Sequence, residues 1–177
     1  MDASSQVFVN EGTFGILDDG NIPIESVDWS QGLIAPMAGG ALILTGINTG
    51  NVHVNVRIQH DHDHDQSQSP DDERWEETAR ARIRAPHGRL HVESLLHGPH
   101  EDLPLLSRSG PGWYQVEVRA RGRRLNPDGS IPDSSEYYLI AVRADTPAPP
   151  AAMEPRERLP VDSKEELRRE RLRRGGA

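Results

Sequence analysis

Three histidines and three aspartates alternate in the stretch His60-Asp-His-Asp-His-Asp65. On an extended chain successive side chains point to opposite faces. This spacing therefore sets the imidazoles of His60, His62 and His64 on one side and three carboxylates on the other. Neutral imidazoles so arranged suit zinc, nickel or copper. From His60 to Arg74, however, the only apolar residue is Pro70. A working metal centre needs rigid supports and partners behind its ligands. The run is read as a solvated loop in which His60, His62 and His64 bind metal adventitiously, and no cofactor is assigned.

Other arrangements that could do chemistry are weaker. A cupin-type metal site would add a glutamate a few residues after His-x-His, but none occurs before Glu73. His87, His91, His97 and His100 fall on turns and one strand. No Gly-x-Ser-x-Gly is present, and Ser107 and Ser109 are near His97 and His100 only in sequence. Gly39-Gly40 and Gly110-Pro-Gly112 precede strands, so neither opens a helix toward a phosphate.

A pattern spread along the chain is more informative. Arg57, Arg80, Arg82, Arg84, Arg119 and Arg121 all occupy the polar positions of alternating segments, interleaved with Glu76, Glu93 and Glu117. One reading is a solvated sheet face held by cross-strand ion pairs. The other is a partner surface, since arginine is enriched at interfaces. These six arginines are the candidate partner-binding residues.

The elements that must position them are strands. Val52, Val54, Val56 and Ile58 alternate with His53, Asn55, Arg57 and Gln59. The same period of two runs through Trp75–Ala85, Leu90–Glu93, Tyr114–Arg121 and Glu136–Arg143. Gln6–Leu17 reads as a first strand, with Gly12 and Gly15 marking a bulge or close approach. Pro36 demotes Leu33–Met37 to an edge, and the continuous apolar run Ala41–Thr45 reads as a central strand. Asn48–Asn51 is expected to turn that run into the Val52–Ile58 strand as a hairpin. About eight strands with regular turns predict an all-β fold, an antiparallel β-sandwich of jelly-roll-like form, over residues 1–145. Residues 146–177 read as a Pro-rich linker and a charged tail, disordered or a short helix capped at Ser163.

Composition excludes several classes. The chain has no cysteine, which removes disulfides, thiolate metal sites and cysteine nucleophiles and fits a reducing compartment. Its net charge is −8, and residues 1–150 carry 12 arginines against 22 acidic residues. Such an acidic body argues against nucleic-acid binding. The first residues lack a basic, then apolar, secretory pattern, and no apolar run nears the roughly 18 residues that span a bilayer. A cytoplasmic protein is expected, with no membrane partner.

Trp29-Ser-Gln-Gly-Leu-Ile34, the apolar strand 41–45, the Val52–Ile58 strand and the Ala79–Ala85 strand before Pro86 resemble the bacterial competence protein J family. Gly112-Trp-Tyr-Gln-Val-Glu-Val118 and Glu136–Val142 are similar to its C-terminal half, so the likeness spans residues 6–145. The resemblance implies a small inhibitor of a nuclease, hence a protein-binding role, and supplies no site residues. The reading reached is a non-catalytic module that binds a protein partner, a nuclease or toxin, as an inhibitor or immunity protein. The alternative is a sandwich with a small-molecule or metal pocket, with or without an enzymatic activity. A pocket of converging histidines and carboxylates favours the second, and a flat Arg/Glu sheet favours the first.

Overall fold

A computed structural model describes residues 2–59 and 75–145. His60, His62 and His64, the linker and the tail lie outside the described residues. Among the described residues ten strands run in chain order as β1 (Asp2–Val9), β2 (Thr13–Asp18), β3 (Ile34–Met37), β4 (Gly40–Leu44), β5 (Thr49–Ile58), β6 (Glu77–Ala85), β7 (Leu90–Ser94), β8 (Gly98–Pro99), β9 (Gly112–Arg121) and β10 (Ser130–Ala144). They form two five-stranded sheets, in the orders β1-β5-β10-β9-β6 and β3-β4-β2-β7-β8. The architecture is the expected all-β sandwich.

The core is built where the apolar faces meet. Val7, Val54, Val116 and Ile140 of the first sheet join Phe14, Ile16, Ile43 and Leu90 of the second in one buried cluster. Phe14 meets Tyr138 edge to face at 5.4 Å across the gap, a geometry aromatic rings favour. The alternation read from β5 holds, with Val54 fully buried and His53 on the outer side. Pro36 lies on β3, an edge strand, where its missing N–H is tolerated.

Two local expectations change. The first strand is two strands in different sheets, because Glu11 (φ 52°) and Gly12 (φ 71°) bend the chain between them. Likewise β4 and β5 form no hairpin but belong to different sheets, and the crossover between them is held by Glu136. That carboxylate is buried and accepts the amides of Gly46 (3.0 Å) and Ile47 (2.7 Å) and the Tyr138 hydroxyl (2.5 Å). Burial and the facing Glu136 carboxylate push the Tyr138 phenol far above its ordinary range. A Cβ on Gly46 would lie 1.8 Å from the Arg123 carbonyl oxygen, so this crossing admits only glycine. The sheets are also not wholly antiparallel, since β5 and β10 pair in parallel in the middle of the first sheet. Parallel neighbours need long connections, and here residues 59–129 lie between them.

Candidate functional site

Strand register gathers the six candidate arginines on one surface. Arg80, Arg82 and Arg84 of β6 face Glu117, Gln115 and Trp113 of β9, and Thr78 faces Arg119. On the other side of β9, Arg121 faces Tyr137, Arg119 faces Leu139 and Gln115 faces Arg143. Ala141 of β10 pairs with Arg57 of β5, which faces Asp2 of β1. All these side chains lie on the side of the first sheet away from the core, because their neighbours Ile83, Val116, Val118, Ile140 and Val56 are buried inside. Arg143, which the sequence pattern did not single out, joins them.

Most of these arginines have partners on the face. Arg80 and Arg119 both donate to Glu117 at 2.5 Å. Burial pushes the Glu117 carboxyl up, but the hydrogen bonds and charges of Arg119 and Arg80 outweigh it and hold its pKa below the ordinary carboxylate value. Arg57 pairs with Asp2 at 3.3 Å. Arg82 pairs with Asp145, whose carboxyl it holds low, and lies over the Trp113 ring at 4.4 Å. Arg121 stacks on Tyr137 at 4.4 Å, with Trp75 on its other neighbouring position at 5.8 Å. The Tyr137 ring is itself stacked on His53 at 4.5 Å. Trp75 was expected to begin the alternating strand; it lies instead just before β6 and closes this aromatic row. Arg84 has no ion pair among the described residues.

At one end the face runs into a cleft of about 610 Å³ between the sheets' edges. Its walls include Pro23, Pro36, Met37, Pro86 and Trp113, with Arg82, Arg84 and His87 on its polar side. Beside it Asp18, whose side chain is wholly buried, accepts the backbone amides of His87 (2.6 Å) and Arg89 (2.6 Å) and the His87 Nδ1–H (3.1 Å). An acceptor-only carboxylate fixes the ring tautomer in this way. The Ser26 hydroxyl of the same cleft donates to the Pro23 carbonyl (2.8 Å) and accepts the Ala38 amide (3.0 Å). It is therefore already engaged rather than set against the imidazole as a nucleophile. Ser107 is buried and accepts the Leu90 amide at 2.9 Å, which gives its hydroxyl a structural partner in place of His97 or His100.

Sequence reasoning missed the Asp18–His87 pair. The two residues are 69 positions apart, and nothing in either local segment points to the other. No cluster of three or more His, Asp and Glu side chains able to hold a metal is found among the described residues. No helix among them is long and apolar enough to cross a membrane.

Fold and site together define a two-sheet β-sandwich with an arginine-bearing outer face. No protein-family model matches the chain, and no curated protein is significantly similar to it. A solved structure named "Crocagin biosynthetic gene J" is similar at 13% identity, over 82% of this chain and 98% of that one, with a TM-score of 0.45. The expected resemblance to the competence protein J family is overturned, since none of these comparisons returns that family. It rested on strand alternation and a Gln-Gly pair, which many unrelated sandwiches can carry.

Proposed function

We propose that this chain is a non-catalytic binding module whose partner is a protein with an acidic surface, docked on the outer face of the first sheet. One observation carries the reading: seven arginines gather on a single sheet face of a chain whose net charge is −8. Arg57, Arg80, Arg82, Arg84, Arg119, Arg121 and Arg143 share that face with Asp2, Glu117 and Asp145, and Glu76 at its margin. A local excess of guanidinium within an acidic body favours a partner of complementary potential, which speeds encounter and fixes orientation. The ion pairs do not remove the face from use, because the Arg80 and Arg82 side chains remain 77% and 53% exposed. Inhibition by occlusion, as in an inhibitor or immunity protein, is the mode we favour, because guanidiniums spread over a face suit docking onto an acidic surface. The cysteine-free composition supports placing the module in the cytoplasm.

The test is capture from native lysate with wild type and Arg57→Glu/Arg80→Glu, two positions outside the cleft. Exposed pairs contribute about 0–1 kcal/mol to folding, so the melt should shift little. An arginine central to an interface contributes about 2 kcal/mol or more to binding, so capture should fall by at least about tenfold. Identical partner sets for the two proteins would remove this face as the binding surface.

A further inference from the structure

We propose that the cleft at the end of the sandwich is a binding site of its own, for a small organic monoanion: a carboxylate on a flat apolar body. The argument begins with the walls. Pro23, Pro36 and Pro86 are conformationally stiff, and with Met37 and Trp113 they form an apolar lining around about 610 Å³. Small-molecule sites have this size and this balance of apolar wall and few polar groups. Stiff walls also reduce the ordering cost of binding.

The polar groups set the ligand's charge. Arg82 is held between Asp145 and the Trp113 ring, so its charge is already met. Asp18 presents no oxygen free of a donor, because Oδ1 takes the Arg89 amide and Oδ2 takes the His87 amide and ring. Arg84 is left as the cleft's unpaired cation among the described residues, next to Trp113 in the strand register. A single unmatched guanidinium calls for a single negative charge, and its planar fork matches a carboxylate through two parallel hydrogen bonds. A phosphate dianion would need a second free cation, which the described residues do not supply.

The experiment uses the full chain and two probes of the same shape, 2-naphthoate and the uncharged 2-naphthamide. Binding is followed by calorimetry and by the Trp113 indole N–H resonance, assigned with Trp113→Phe. Naphthoate should shift that resonance saturably, and naphthamide should bind at least about tenfold more weakly, the loss of one good charged contact. Arg84→Gln should weaken naphthoate by a similar factor. Arg80→Gln, on the same strand but outside the cleft, should leave it unchanged, and melts of both variants confirm the fold. No saturable response up to about 10 mM, generous for a fragment of this size, would overturn the proposal. So would equal binding of the two probes, or equal loss in both variants. The partner surface is probed separately, since Arg57→Glu/Arg80→Glu leaves the cleft intact.

Discussion

The two sheets share one core but finish their outer faces in opposite ways. On the first sheet, Leu139 and Ala141 are the only buried apolar side chains among the outward positions of β10, and arginine stems and ion pairs surround them. Long charged side chains can cover apolar surface while keeping their heads in water. On the second sheet, the outward Leu17, Ala35, Met37 and Leu42 form a separate apolar cluster. That face cannot be left wet, and Val27 of the segment between β2 and β3 packs on it with Leu44 and Leu95. The segment is fastened by the Asp28 amide to the Pro36 carbonyl (2.8 Å) and by Ser26 Oγ to the Ala38 amide. The difference teaches where function can reside: among the described residues no chain segment covers the outer face of the first sheet, whereas the second uses its outer face to hold a loop.

The comparison can be broken most directly by exchanging character at one position on each face. Leu17→Asp would bury an unpaired carboxylate and should cost roughly 3 kcal/mol or more, whereas Arg80→Ala should cost about 0–1 kcal/mol. Denaturant melts of the two variants decide it, and similar losses would mean that the faces are not different in kind. A smaller effect tests the covering loop. Val27→Ala removes two methyl groups from a partly buried contact and should cost about 1 kcal/mol, while making the segment 19–32 cleave faster in limited proteolysis. Unchanged cleavage would show that Val27 is not what holds the loop down.

The smallest effect concerns Glu93, on the outward side of β7. Its carboxyl is buried, and Oε1 has no hydrogen-bond partner. Burial, and then the charge of Asp19, raise its pKa above the ordinary value. An acid whose pKa is raised on folding binds more protons in the folded state, so ionisation opposes folding. The penalty is absent below the unfolded carboxyl value, grows as pH rises through the folded one, and is full above it. Glu93→Gln should therefore melt higher than wild type at pH 7, with the gain vanishing below about pH 4. A gain independent of pH would assign the effect to packing instead of charge.

Much of this was legible from the residues. Half-exposed strands announce themselves, so β5, β6 and β9 were readable with the correct faces, and Pro36 marked an edge. The arginines could be placed on polar sides of their strands for the same reason. Their partners could not: Arg82 meets Asp145, 63 residues away, and Arg57 meets Asp2, 55 residues away. Leu103 and Leu106 were hidden in a stretch rich in Gly, Pro and Ser, yet both are buried and anchor that loop in the core.

What the sequence determined by itself is local: strand faces, turn positions, an all-β class and an acidic composition. These follow from a period of two and from the conformational preferences of Gly, Pro, Asn and Asp, which act over a few residues. Tertiary structure alone decided which sheet each strand joins, the parallel pairing of β5 with β10, and the meeting of Asp18 with His87. It also decided that Arg84 ends beside Trp113 in a cleft while Arg82 meets Asp145. Backbone pairing groups are the same on every strand, so no single segment encodes its neighbour. The choice is made only when all the apolar faces are buried together.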